Sequence, residues 1–214
     1  MRPTASRLRI LLVNDYASPT GGAEILIRNL RDGLIERGHE VRLLASRALP
    51  AGASATVDFS CDGSLRRRRV PLQVFNPSAR RAIRDAIREL RPDVVHVSLF
   101  LTQLSPAILA PLRELPALLH VQWYRIMCPL GTKLLPDGSA CQDPWGAACL
   151  RHRCLGAHEW APLMLQRSLW ERSRDVFDLY VAPSNRVKTR IQQAGLAPVE
   201  VVPGAVPVSA GPGA

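Results

Sequence analysis

Short, unbroken apolar runs recur along the chain at residues 8–13 (LRILLV), 40–45 (EVRLLA), 93–98 (DVVHVS), 117–121 (ALLHV), 179–182 (LYVA) and 199–202 (VEVV), with a weaker one at 56–60. Runs of this kind fit strands that are buried on both faces of a parallel sheet. Between them the period lengthens. After Ala23, Leu26, Leu30 and Leu34 lie four apart with Arg28, Arg31 and Glu36 interspersed, which predicts a helix closed by Gly38 as a C-cap residue. Asn76-Pro77-Ser78 opens a second helix carrying Ile83, Ile87 and Leu90, and Pro92 stops it. Further helices are predicted over 103–115, about 159–178 and 184–194. In the middle one, the apolar pairs Pro162/Leu163, Leu169/Trp170 and Val176/Phe177 recur every seven residues.

Strand and helix therefore alternate over nearly the whole length. That order predicts an α/β, doubly wound, mostly parallel sheet of six or seven strands, Rossmann-like, with right-handed crossovers. A single domain spans 1–202, interrupted by a long loop at 122–158, and residues 203–214 have the composition of a linker. No apolar run approaches the ~18–20 residues of a membrane span. The apolar stretch near the start is shorter than the roughly 7–15 residues of a signal-peptide core. These features predict a soluble, cytoplasmic chain.

Charge changes the picture less than its size suggests. Net charge is +10, but only Lys133 and Lys188 among the 28 basic residues are lysine. An arginine skew of this kind follows GC-rich coding more readily than selection for phosphate contacts. Aromatic residues make up only 5% of the chain, so a base-stacking surface would be thin and a nucleic-acid partner is not expected. The one dense basic run, Arg66–Arg69, reads as a solvated loop or as a contact for anionic lipid headgroups at a membrane surface.

Candidate chemistry begins at Gly21-Gly22, just ahead of the first helix. In an open α/β sheet, ligands bind beyond the carboxyl ends of the strands, where helix N–H groups and the dipole favour anions. Two glycines let a bulky anion approach the backbone, although a tight strand-to-helix turn would use the same residues. The string Gly-Lys-Ser/Thr of a Walker loop is absent. So are G-x-G-x-x-G, an acid closing the second strand, and the G-x-S-x-G of a hydrolase elbow.

Five segments in order carry a resemblance. PTGGAEILIRNLRDGLIERGHEVRLLAS, RPDVVHVSLF, LLHVQWYRIMCP, APSNRVKTRIQQAGL and VEVVPGAVP are similar to the punctuation of family-four-like glycosyltransferases of the GT-B fold, over about residues 8–207. Val121 stands where an aspartate commonly follows the histidine, and Gly204 where the hinge usually carries Asn-Gly. The resemblance implies the N-terminal, acceptor-side half of a GT-B enzyme. Such an enzyme moves a hexosyl group from a nucleotide diphosphate sugar to a hydroxyl of a glycan or lipid-linked acceptor, mostly with retention. It implies that Gly21 and Gly22 offer N–H groups to the donor phosphates and that His120, at a strand's carboxyl end, touches the donor sugar as the catalytic residue. Trp123, Tyr124 and Arg125 are acceptor-cleft candidates, and His96 reads as structural or pocket wall. No cofactor is required for catalysis on this reading. The donor-binding half would be supplied elsewhere, on another chain if this one ends at the hinge, and the isolated chain is expected to be inactive. The other readings are a truncated or non-catalytic module that binds sugar or nucleotide, and an arginine-driven binder of nucleic acid or membrane.

Four cysteines, Cys128, Cys141, Cys149 and Cys154, fall in the 122–158 loop with His152 and His158 nearby. No C-x-x-C pair is present, so structural zinc, redox bridging and independent thiols all remain open. Cys61 is isolated and reads as a buried free thiol.

Overall fold

The computed structural model describes residues 6–18, 21–49, 56–65 and 69–204. Its strands are β1 (Arg9–Tyr16), β2 (Glu40–Ser46), β3 (Phe59–Cys61), β4 (Val94–Val97), β5 (Ala117–His120), β6 (Leu179–Ala182) and β7 (Val199–Val201). They form one sheet in the order β3-β2-β1-β4-β5-β6-β7, and every ladder is parallel. The helices are α1 (Gly22–Glu36), α2 (Arg69–Val74), α3 (Pro77–Leu90), α4 (Ala147–Arg151), α5 (Ala157–Glu171) and α6 (Asn185–Gln193).

The alternation on β1 shows why its run is apolar on successive positions. Ile10 and Leu12 pack with Val41, Leu43 and α1's Ile27 on one face, while Leu11 and Val13 join Leu44 and α3's Ile83 on the other. Both faces are covered, as a parallel sheet requires. Helix ends follow their sequence signals. The Asn76 side chain accepts a hydrogen bond from the Ala79 N–H at 3.0 Å, with Pro77 in the first turn. Gly38 takes a left-handed φ of +86° just after α1.

Several boundaries differ from the sequence expectation. Residues 103–115 form two short 3-10 turns, Pro106–Ile108 and Ala110–Leu112, in place of a helix. Pro106 and Pro111 lack the N–H groups a longer helix would use, and Ser105 sits at φ +67°. The helix expected to reach 178 stops at Glu171, is followed by a 3-10 turn at Arg174–Val176, and buries Leu163, Gln166 and Trp170 rather than a seven-residue pattern of pairs. On α1 the row against the sheet is Ile27, Leu30 and Leu34, so Leu26 is turned off it, toward Gly204. β3 lies slightly later than the 56–60 run. α2 is not expected from the sequence, where the charge of Arg66–Arg69 masks a helix start; residues 66–68 and the linker from 205 onward lie outside the described residues. The 122–158 loop contains a 3-10 turn, Tyr124–Ile126, and the short α4.

Candidate active site

β1 continues past its apolar run through Asn14, Asp15 and Tyr16 before the chain turns to Gly21 and α1. β1 lies between β2 and β4, so chain order reverses there, and the carboxyl ends of β1 and β4 flank the topological switch point. Because all strands are parallel, the Gly21-Gly22 turn and His120, which ends β5, lie at this same carboxyl edge.

The two glycines do different work. A Cβ on Gly21 would fall 2.5 Å from Glu24 Oε2, so Gly21 is fixed by contact within the chain. Among the described residues a Cβ on Gly22 would meet nothing within 4 Å, so no contact there demands glycine. Glu24 folds back over the turn. Burial raises its carboxyl pKa, with the nearby Asp15 adding to the shift, against hydrogen bonds from its own N–H, the Asn14 side chain and the Gly21 N–H.

Sequence reasoning missed the residue that organises this edge. Asp15 is buried, and its carboxylate accepts backbone N–H bonds from Thr102 (2.8 Å), Gln103 (2.7 Å) and Leu104 (2.9 Å). Burial raises its pKa and the three donors oppose that rise. The Gln103 side chain, also buried, donates to the Tyr16 hydroxyl and to the Ser64 carbonyl. The carboxyl end of β1 is thereby tied to the segment that follows β4. An acid so soon after an apolar run is the available signal, but the start of a solvated loop carries the same one.

His120 is 6% exposed, and its Nε2 has no hydrogen-bond partner among the described residues. Burial lowers its pKa. His96, on β4, is also held neutral: burial, then the neighbouring His120, lower its pKa to about 3. The site thus carries two uncharged imidazoles at pH 7, suited to accept or donate single hydrogen bonds rather than to attract phosphate by charge.

The three acceptor-cleft candidates separate. Trp123 and Arg125 line a cavity of about 210 Å³ with Gln73 and Thr102, walled by Leu130, Leu155 and Leu163. They also meet Asp15 and Val121 around a much smaller cavity at the strand ends. Tyr124 lines neither and packs against the core instead. Trp123 is seated by Gly131, where φ is +82° and a Cβ would fall 1.8 Å from the indole Nε1.

Cys128, Cys141, Cys149 and Cys154 do come together around one cavity of about 20 Å³, with His152 and Asp143. Among the described residues no three His, Cys, Asp or Glu side chains are grouped so as to hold a metal ion. The Cys141 and Cys154 thiols point at the carbonyls of Asp143 and His152, and His152 Nε2 bonds Asp143 Oδ2 at 2.7 Å. All five cysteines are free; Cys61 is buried, which pushes its thiol up to about 12. Among the described residues no helix is long and apolar enough to cross a membrane.

The seven-stranded, all-parallel sheet with helices on both faces is the fold of the N-terminal half of a GT-B glycosyltransferase. The family model of Glycosyltransferase Family 4 matches residues 20–210, and the chain belongs to that family. The fold is similar to sucrose-phosphate synthase from Thermosynechococcus elongatus, with a TM-score of 0.55 and 13% identity over 92% of this chain and 48% of that one. Weaker likenesses are to a putative UDP-N-acetylglucosamine 2-epimerase from Listeria monocytogenes (TM-score 0.49, 12% identity, 91% and 44% covered) and to Anabaena HepE in complex with UDP-glucose (0.47, 16%, 94% and 44%). The chain spans about half the length of each of these structures. No curated protein matches it in sequence.

Proposed function

We propose that this chain is the acceptor-side half of an enzyme that transfers a hexosyl group, with retention, from a nucleotide diphosphate sugar to a hydroxyl of a glycan or lipid-linked acceptor. The observation that carries the reading is Gly22. It opens α1 at the switch-point edge, meets no described residue where a side chain would be, and shares that edge with the Nε2 of His120, which has no partner among the described residues.

The roles follow from charge. As the sugar leaves, the nucleotide diphosphate gains negative charge, and fixed N–H donors at a helix start stabilise it without reorganising. Gly22 offers such a donor, and Gly21 offers a second once a phosphate displaces the Glu24 carboxylate that its N–H now bonds. His120, neutral and desolvated, forms a single hydrogen bond to a hydroxyl of the donor sugar. Trp123 supplies an apolar wall and Arg125 a charged one for the acceptor, and Tyr124 supports them from behind. The second half of the GT-B fold would supply most donor contacts and exclude water when the halves close.

Titration of the 15N-labelled chain with UDP-glucose tests this directly. The Gly21 and Gly22 amides and the His120 ring are expected to shift together in a saturable manner. Saturable shifts elsewhere, with these three unmoved, would remove the assignment.

A further inference from the structure

We propose that a cavity of about 480 Å³ between the cysteine-rich loop, α5 and α6 is a second ligand site, one that takes a small soluble phosphate ester or diphosphate. It reaches toward the amino end of β6 and shares Ile126 with the small cavity at the strand ends. α6 starts beyond the carboxyl end of β6 and descends to Gln193 before β7, and the cavity touches its last residues. Trp170, Glu171 and Arg174, also in its wall, precede the first residue of β6. Neither Gly22 nor His120 is in its wall.

Its wall carries Lys133, Arg167, Arg174 and Arg190 against a single acid, Glu171. Arg167 uses that acid, at 2.7 Å, and lies over the Trp145 ring. Among the described residues the other three cations have no carboxylate. Lys133 donates to the Asp143 carbonyl and Arg190 to Gln142 Oε1, both neutral acceptors. The Arg174 guanidinium has no hydrogen-bond or ion-pair partner among the described residues. Three like charges around one cavity repel unless an anion joins them. A phosphate with two or more negative charges meets that need, and the planar arginine forks match its oxygens in pairs. The volume is that of a small-molecule pocket. A ligand there would join the loop, through Lys133, to α5 and α6, and so hold the loop against the sheet.

Calorimetry of the whole chain with inorganic pyrophosphate tests the site. A saturable pyrophosphate site is expected, weakened tenfold or more in Arg174→Gln/Arg190→Gln. It should be nearly unchanged in the charge-matched pair Arg84→Gln/Arg88→Gln at exposed positions of α3. Arg174→Gln alone, at an exposed and unbonded side chain, should give a smaller loss in the same direction without touching the fold. Absence of binding, an equal loss in the control pair, or a loss confined to Gly22→Ala would overturn the proposal. Flotation with phosphatidic acid vesicles separates the two sources of phosphate. Co-flotation abolished by Arg174→Gln/Arg190→Gln would assign the cavity to a lipid headgroup and overturn the soluble ligand.

Discussion

His96 and His120 stand side by side on neighbouring strands, their ring centroids 5.5 Å apart and their planes tilted by 54°. His96 pairs in register with Leu118, so His120, two residues on, projects from the same face of the sheet. Neither Nε2 has a partner among the described residues.

Stability should therefore fall on acidification through His96. The unfolded chain takes up that proton near pH 6.5, the folded protein only near pH 3, so the contribution is complete above 6.5 and is lost as the pH drops toward 3. Between pH 7 and 5 this one group should cost about 2 kcal/mol. Asp15 and Glu24, whose pKa values are raised by burial, act in the opposite sense. Urea midpoints of the wild type and His96→Leu isolate the term, because the carboxyls are common to both. The stability difference should move by about 2 kcal/mol in favour of the variant at pH 5; an unchanged difference would mean that His96 is protonated in the fold.

His120→Ala, in an enzyme reconstituted with a second GT-B half, should lower turnover by about 10²-fold or more. Its melting temperature should change little relative to that loss. Full turnover would reduce His120 to a packing residue.

The glycine pair should divide by phenotype. Gly22→Ala meets no described residue at a helix start and should leave the melting temperature within a degree or two, yet weaken UDP-glucose about tenfold by obstructing the approach of phosphate. Gly21→Ala pushes the Glu24 carboxylate aside and should change stability first. Melting curves beside nucleotide titrations would show the division, and equal effects at both positions would contradict it.

Asp15→Ala should be among the most damaging single changes in the chain. It leaves three buried N–H groups unpaired, each costing about 1–3 kcal/mol, and loss of the fold is the expected outcome. Asp15→Asn can keep the Oδ1 bonds to Gln103 and Leu104, but turns its amide toward the Thr102 N–H. A folded protein destabilised by about 1–3 kcal/mol in urea should result.

How legible was this in the sequence? The strands were, because burial on both faces writes itself as unbroken apolar runs such as Ile10, Leu11, Leu12 and Val13. The glycine turn and His120 were, because strand ends and helix starts carry punctuation. Asp15 was not: its three donors lie 87–89 positions away, and no local pattern encodes such a contact. Nor could spacing tell that Trp123 and Arg125 share a cavity while Tyr124 turns to the core, since that depends on the α2 and α5 walls that meet them. The four loop cysteines are close in sequence and close in space, but the directions of their thiols are a matter of side-chain rotation.

The long reach of Asp15 also bears on the order of assembly. As the chain emerges from the ribosome, β1, α1 and β2 can dock early, since they adjoin in sequence. Asp15 must then wait for Thr102, Gln103 and Leu104 to be synthesised before its carboxylate has any donor. The ligand edge is thus among the last parts of the amino-terminal strands to mature, and a nascent chain halted before residue 104 would hold the glycine turn without the latch that completes it.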